Sequence, residues 1–151
     1  MKKEYLIILV ILFFACVSKN EKAQTVPKKQ VQISVPKNVD SDFKLFLKYF
    51  SKDSAFQMSR VHFPVKIKDF QNSENELKER LLGINEYRLK EFYVNETSEK
   101  EIFEEYEQTI ILENDSAIIE INGIENGIAI DFEFKKVNGK WKLITWTDQS
   151  T

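Results

Sequence analysis

Three polar residues that could take part in chemistry lie where a helix is predicted to lead into a strand. Gln57 and Arg60 are about one helical turn apart, and His62 is the only histidine of the chain. A histidine can act as a general base, and an arginine can bind a carboxylate. Arg60 could equally bond backbone carbonyls or a neighbouring acid, and alternation turns His62 away from its apolar neighbours. The sequence favours structural roles, and Gln57, Arg60 and His62 remain candidates for a ligand pocket.

The acidic residues do not form a recognisable site. Six glutamates fall within residues 96–107, but the alternating Asp/Asn and the glycine of a calcium loop are missing, so we expect a solvated acidic face. Asp131 and Glu133 are two residues apart on a predicted strand and could form an acid pair, although solvent is the simpler destination. With one histidine, no cysteine pair and no Gly-rich phosphate loop, the sequence predicts no metal site, no cofactor and no catalytic residue.

The N-terminus carries the most specific signal. Lys2 and Lys3 precede an unbroken apolar run, residues 5–15, which is shorter than the roughly 20 residues of a membrane span and suits a signal peptide. The run ends in Ala15-Cys16, which resembles the cleavage site of bacterial lipoprotein signal peptides. That resemblance implies a signal peptide over residues 1–15 and acyl chains such as palmitate on Cys16. The alternatives are a plain secretory signal with a coincidental cysteine, or an uncleaved anchor.

Residues 16–39 are polar, contain two prolines and show no sustained period, so we expect a flexible tether between the acylated cysteine and one domain over residues 40–151. No acidic run follows Cys16 and Val17 stands where an aspartate would resemble an inner-membrane retention signal. The expected location is therefore the cell envelope, at the periplasmic face of the outer membrane. A net charge of −2 with interspersed lysines and acids argues against nucleic-acid binding.

The domain is predicted to begin with helices. Phe43, Phe46, Leu47 and Phe50 have helical spacing, a second short helix ends near Arg60, and a strand with Pro64 at an edge or bulge follows. A capping box at residues 73–76 predicts a third helix that ends at Gly83. Residues 85–94 alternate weakly as a strand, and residues 98–103 suggest a helical turn.

Strands dominate the C-terminal third. They are predicted at residues 106–113, 116–121, 128–135 and 141–147, with an Asn138-Gly139 hairpin before the last one. Helices followed by an antiparallel meander make an α+β fold. The aromatic helix, the later strands and the final Gly-Lys-Trp-Lys-Leu run resemble the nuclear-transport-factor-2-like superfamily. The resemblance implies a strongly bent antiparallel sheet that forms a cone around its helices, and residues 53–64 look like small bacterial lipoproteins of unknown function.

The last strand carries large apolar residues on both faces. If Trp141 faces the core, strict alternation places Ile144 and Trp146 on the outer sheet face, where they would form an interaction surface for a protein partner or a homodimer. The sequence therefore favours a non-enzymatic binding or interaction domain, attached to the membrane by its lipid. The alternatives are an enzyme of the same fold that uses polar groups such as His62, Asp131 or Arg60, and a purely structural envelope component.

Overall fold

The computed structural model describes residues 34–70 and 76–151. They belong to one compact unit, Gln32–Thr151. The predicted signal peptide, Cys16 and most of the predicted tether lie outside the described residues. Two helices are followed by seven strands: α1 (Phe43–Lys52), α2 (Ser54–Ser59), β1 (Val61–Phe70), β2 (Leu77–Leu82), β3 (Lys100–Ile102), β4 (Tyr106–Glu113), β5 (Ser116–Gly123), β6 (Ala129–Val137) and β7 (Lys140–Asp148).

Helix α1 forms as its sequence predicts. The Asp42 side chain accepts a hydrogen bond from the backbone N–H of Leu45 at 2.7 Å and so caps the first turn. Its apolar stripe is buried: Phe43, Phe46, Leu47 and Phe50. The next helix follows at once, because Asp53 ends α1 and its side chain accepts from the N–H of Phe56 at 2.9 Å.

The sheet is mixed, which corrects the expected all-antiparallel arrangement. Its strand order is β2-β1-β7-β6-β5-β4-β3, and the β1–β7 pair is parallel while the other neighbours are antiparallel. A parallel pair needs a long crossover between its strands, and here that connection, residues 71–139, is more than half of the domain. Pairs so distant in the chain leave no local sequence pattern. Pro64 lies where the β1–β7 ladder is interrupted, between Val61 and Lys66. This position suits proline, because it has no backbone N–H to donate to the ladder.

Two predicted helical pieces are strands instead. Leu77–Leu82 forms β2, an antiparallel partner of β1, so the third helix was wrong; residues 73–75 of its capping box lie outside the described part. Within β2, Leu82 is buried and Leu81 is 62% exposed, which is the alternation of a strand. The expected helical turn after Ser98 is also wrong, because Lys100–Ile102 forms the edge strand β3 on β4.

Phenylalanine rings fill the space between α1 and the sheet. The ring of Phe134 on β6 meets the rings of Phe43, Phe46 and Phe50 edge-on, at centroid distances of 5.4, 5.9 and 5.4 Å. Phe92 closes the cluster from the loop side, 6.0 Å from Phe134. Edge-to-face rings at these distances are favourable, so the aromatic helix packs as a close-fitting core.

A β-bulge in β7 decides which face its side chains occupy. Phe134 pairs with Leu143 and Glu133 pairs with Thr145, so Ile144 is an extra residue with no partner on β6. One inserted residue reverses the alternation beyond it. As a result Trp146 returns to the inner face and is 7% exposed. The expected placement of Trp146 on the outer face, derived from strict alternation, was wrong.

Candidate functional site

Gln57 is a buried structural residue. Its amide nitrogen donates to the carbonyl oxygens of Phe50 at 2.6 Å and Lys90 at 2.7 Å, and its amide oxygen accepts from the Tyr87 hydroxyl at 2.9 Å and the Lys90 N–H at 2.7 Å. An amide side chain has two donor hydrogens and two acceptor lone pairs, so all four are used. At 1% exposure, Gln57 has no polar capacity left for a ligand.

The loop between β2 and β3, residues 83–99, begins with a turn and lies outside the strand ladders. Side chains bind its peptide groups instead. Ser51 Oγ accepts from the N–H of Phe92 at 3.0 Å, and the Gln108 amide bonds both the N–H and the carbonyl of Tyr93, at 3.1 and 2.8 Å. The predicted strand over residues 85–94 was therefore wrong: the side chains of Gln57, Ser51 and Gln108, rather than a neighbouring strand, bond these peptide groups.

Arg60 binds an acid at the start of the domain. Its two terminal nitrogens donate to the two oxygens of Asp40 at 2.8 and 2.9 Å, and its guanidinium lies 4.7 Å from the ring centroid of Phe56. Asp40 also accepts from the backbone N–H of Trp141 at 2.9 Å. This planar two-point contact is the strong form of an arginine–carboxylate pair. Arg60 thus joins residues before α1 to the end of α2 and to β7.

The other residues proposed from the sequence do not form a common site. His62 is exposed on β1, on the side away from buried Val61 and Val65. Asp131 lies opposite Glu120 and Thr147 in the sheet, on the face away from Phe132. Burial raises the pKa of Asp131 above its ordinary value. Ile144 is half-buried and Trp146 is buried, so the two do not form one exposed surface.

The expected solvated acidic face fits most glutamates of residues 96–107, but Glu101 differs. Its Oε1 atom is buried and has no hydrogen-bond partner among the described residues. Within residues 34–70 and 76–151, no group of three or more His, Cys, Asp or Glu side chains could hold a metal ion. In the same part of the chain, no helix has the length and apolarity needed to cross a membrane.

Lys90 is a residue that the sequence did not single out. Its ammonium lies 4.9 Å from the ring centroid of Trp146 and 5.8 Å from that of Phe132, within range of a cation–π contact. Burial lowers the pKa of Lys90, while the nearby charge of Asp148 opposes the shift. The lysine became visible only with the fold, because both aromatic partners lie more than 40 residues further along the chain.

A groove runs along the seam between α1 and residues 92–96, and we call it the seam groove. It consists of two adjoining cavities of about 170 and 190 Å³, which share Lys48, Val94 and Glu96 in their walls. The helix wall also includes Lys44 and Lys52, and the loop wall includes Phe92 and Tyr93. The helix wall is thus mainly basic, with Asp42 at its N-terminal end, and the loop wall is mainly apolar apart from Glu96.

Both ends of the seam groove are fixed by hydrogen bonds. The Ser51–Phe92 bond closes one end, and the Lys44 ammonium donates to the carbonyl of Ser98 at 3.0 Å at the other. The loop wall therefore has a defined position relative to α1. Between these bonds, the one polar contact across the groove among the described residues is a long ion pair of Lys48 with Glu96, at 3.9 Å. The Lys48 side chain is about half exposed and that of Glu96 is 85% exposed. A surface pair at this distance contributes little.

Comparison with known proteins agrees with this architecture. A protein-family model, described only as "-like", matches residues 41–150, which is well over half of the chain. No curated protein matches this chain. An NTF2-like protein from Bacteroides fragilis superposes with a TM-score of 0.55 at 21% identity; the match covers 73% of this chain and 47% of that one, so this chain spans about half the length of that protein.

Two further solved structures are similar. A cystatin-like protein from Bacteroides caccae has a TM-score of 0.51 at 24% identity, covering 72% of this chain and 76% of that one. A protein from Bacteroides uniformis has a TM-score of 0.50 at 23% identity, covering 70% and 74%. Identities this low show the fold alone. The chain therefore shares the nuclear-transport-factor-2-like (NTF2-like) fold, and it belongs to the family whose model matches residues 41–150.

Proposed function

We propose that this protein is a lipid-anchored lipoprotein of the cell envelope whose domain binds a ligand and catalyses no reaction. The seam groove is the observation that carries the binding role. Its walls include the exposed side chains of Lys48, Lys52 and Tyr93. Gln57 and Arg60, in contrast, use their polar atoms to hold the fold together. A domain with its free polar groups on an outer groove is suited to recognition.

The proposal includes the shape of the domain, a bent sheet that forms a cone around α1. Bulges bend strands, and register shifts occur in both ladders of β7, between Val61 and Lys66 of β1 and between Glu133 and Phe134 of β6. The phenylalanine cluster fills the described interior of this cone. Binding on the outside, in the seam groove, is the arrangement that such a packed interior favours.

The anchor is Cys16, acylated after removal of residues 1–15, at the periplasmic face of the outer membrane. The 24 residues from Cys16 to Val39 would span up to about 80 Å if fully extended. Val39 is 3% exposed and Val35 packs against the core, so the last residues of this stretch would be fixed to the domain and shorten the free tether. Such a tether keeps the domain near the membrane and lets it turn.

Metabolic labelling with a palmitate analogue tests the anchor. We expect the wild-type chain to incorporate label and to fractionate with membranes, and Cys16→Ala to lose both properties. Ser18→Ala is the matched control and should behave as the wild type. Unchanged membrane association and processing of Cys16→Ala would count against acylation.

Photo-cross-linking in the expressing cells tests the binding role. A photoreactive amino acid replaces Tyr93, which is 49% exposed in the groove wall, and in a second variant it replaces exposed Lys135 on β6. We expect a discrete adduct from position 93 that disappears when Lys48→Glu is added, and none from position 135. Equal labelling at both positions would contradict a binding role for the groove.

A further inference from the structure

We infer that the seam groove takes an extended peptide segment in which acidic and apolar residues alternate. The inference rests on the proposed binding function and adds the chemical class of the ligand. Three features carry it: the spacing of the lysines on the helix wall, the apolar character of most of the loop wall, and the weak ion pair between Glu96 and Lys48.

The lysine spacing matches an extended chain. Lys44, Lys48 and Lys52 follow one another at intervals of four residues, which places them on one side of α1. With a rise of 1.5 Å per residue, successive lysines are about 6 Å apart along the helix axis. Alternate residues of an extended strand are about 6.6 to 6.8 Å apart. Acidic side chains at every second position of an extended ligand would therefore have nearly the same spacing as the lysines, so each acid could pair with one lysine.

The opposite wall suits the other half of such a ligand. Successive side chains of an extended chain point to opposite sides, so a ligand with acids toward α1 directs its remaining side chains toward the loop. There it meets Phe92, Tyr93 and Val94. Apolar residues at these positions would bury surface against the loop wall, which polar residues would not. The two walls thus select alternating chemistry rather than negative charge alone.

Each lysine retains hydrogen-bonding capacity. The Lys44 ammonium uses one of its three donors on Ser98, and Lys52 makes no ion pair within the described part of the chain. Lys48 faces Glu96 at 3.9 Å. The Glu96 side chain is 85% exposed, so its carboxylate can rotate into solvent. Lys48 could then pair with a carboxylate of the ligand. In the free protein Glu96 occupies the position that the ligand's central acid would take.

Fluorescence anisotropy with the whole 151-residue chain in detergent tests the inference. The probe is a labelled heptapeptide, Ac-Val-Asp-Val-Asp-Val-Asp-Val-amide. Two comparison peptides have the same length: one with its three aspartates adjacent, and one with lysine in place of aspartate. We expect the alternating acidic peptide to bind at least tenfold more tightly than either, with an affinity that falls as salt rises.

Variants assign binding to the groove. Lys48→Gln and Lys52→Gln should each raise the Kd about threefold, the order expected for one exposed ion pair, and exposed Lys140→Gln is the matched control that should leave it unchanged. Glu96→Gln should lower the Kd about threefold, a gain that misfolding cannot mimic. Equal binding of the three peptides, or a Kd insensitive to Lys48 and Glu96, would overturn the inference. A cross-link at position 93 that persists in that case would leave the binding function standing, and only the ligand class would fall.

Discussion

The carboxylate of Asp40 and the guanidinium of Arg60 meet in a two-point ion pair, with nitrogen–oxygen distances of 2.8 and 2.9 Å. The side chains are only 10% exposed for Arg60 and 17% for Asp40. Because Asp40 also bonds the N–H of Trp141, the pair joins three parts of the chain that are distant in sequence. Losing one partner would leave a charge that water barely reaches.

Arg60→Met should therefore destabilise the domain by about 3 kcal/mol, since the cost of an unpaired buried carboxylate exceeds that of a lost surface contact. Urea denaturation measures the change in the free energy of unfolding. The matched control is Lys66→Met, which removes the ion pair with Glu79, where both side chains are about half exposed. Its cost should stay below about 1 kcal/mol. Similar losses for both variants would show that the Asp40–Arg60 pair carries no special weight.

Gln57→Leu should cost about 4 kcal/mol, because four polar groups lose their partner at roughly 1 kcal/mol each. Amide hydrogen exchange adds a local readout: the N–H of Lys90 should exchange faster than in the wild type. Gln149→Leu, at an exposed position, is the control and should leave stability within about 0.5 kcal/mol. Retained protection of the Lys90 N–H in Gln57→Leu would argue that Gln57 does not hold the loop.

The bulge at Ile144 makes a prediction opposite to strict alternation. Trp146→Ala should cost about 3 to 5 kcal/mol, because the ring is buried against Phe132 and Tyr87. Ile144→Ala should cost about 1 kcal/mol, since Ile144 is half-buried. Thermal and chemical unfolding of the two variants give the comparison. A larger loss from Ile144→Ala would mean that the alternation is not reversed.

Lys90 should make stability depend on pH. Its pKa in the folded protein lies below its ordinary value of 10.5, so between the two values the unfolded chain binds more protons. Stability therefore rises with pH in the window that ends near 10.5. Lys90→Met removes this ionisation, so any stability advantage of the variant over the wild type should shrink as pH rises from 7 to 10.

Urea denaturation at several pH values measures that difference. Exposed Lys68→Met is the control, and its difference from the wild type should stay flat over the same range. Tyr87 acts in both backgrounds: burial raises its pKa, so stability should fall above pH 10 in both variants, which sets the upper limit of the comparison. If the difference in unfolding free energy between Lys90→Met and the wild type does not change with pH, the lowered pKa of Lys90 is contradicted.

Local signals made part of the fold predictable. The stripe of α1 repeats at helical spacing, and the last hairpin follows from Asn138-Gly139, where both residues have positive φ angles of 53° and 73°. The failures have non-local causes. β2 is a strand because β1 pairs with it, and the parallel β1–β7 pair joins strands from opposite ends of the domain. Pairing outweighs the weak propensity of a short segment.

The site was less predictable than the fold. The sequence offered a structural role for Arg60, but no spacing pointed to Asp40 as its partner. The role of Gln57 depends on Tyr87 and Lys90, some 30 residues away, and no spacing in the sequence indicates that contact. The seam groove arises from packing between α1 and a loop without regular structure, so its two walls could be recognised only together.

The way in which Gln57, Ser51 and Gln108 hold residues 87–93 has a consequence for variation. With the exception of the Tyr87 hydroxyl, these side chains bond the backbone of the loop. Every residue except proline offers the same backbone N–H and carbonyl, so exposed loop positions such as Leu89, Glu91 and Tyr93 can change to other residues without removing these bonds. Under the proposed binding function, the domain is a framework with an interchangeable loop, in which new specificities could arise or be engineered while the core stays constant.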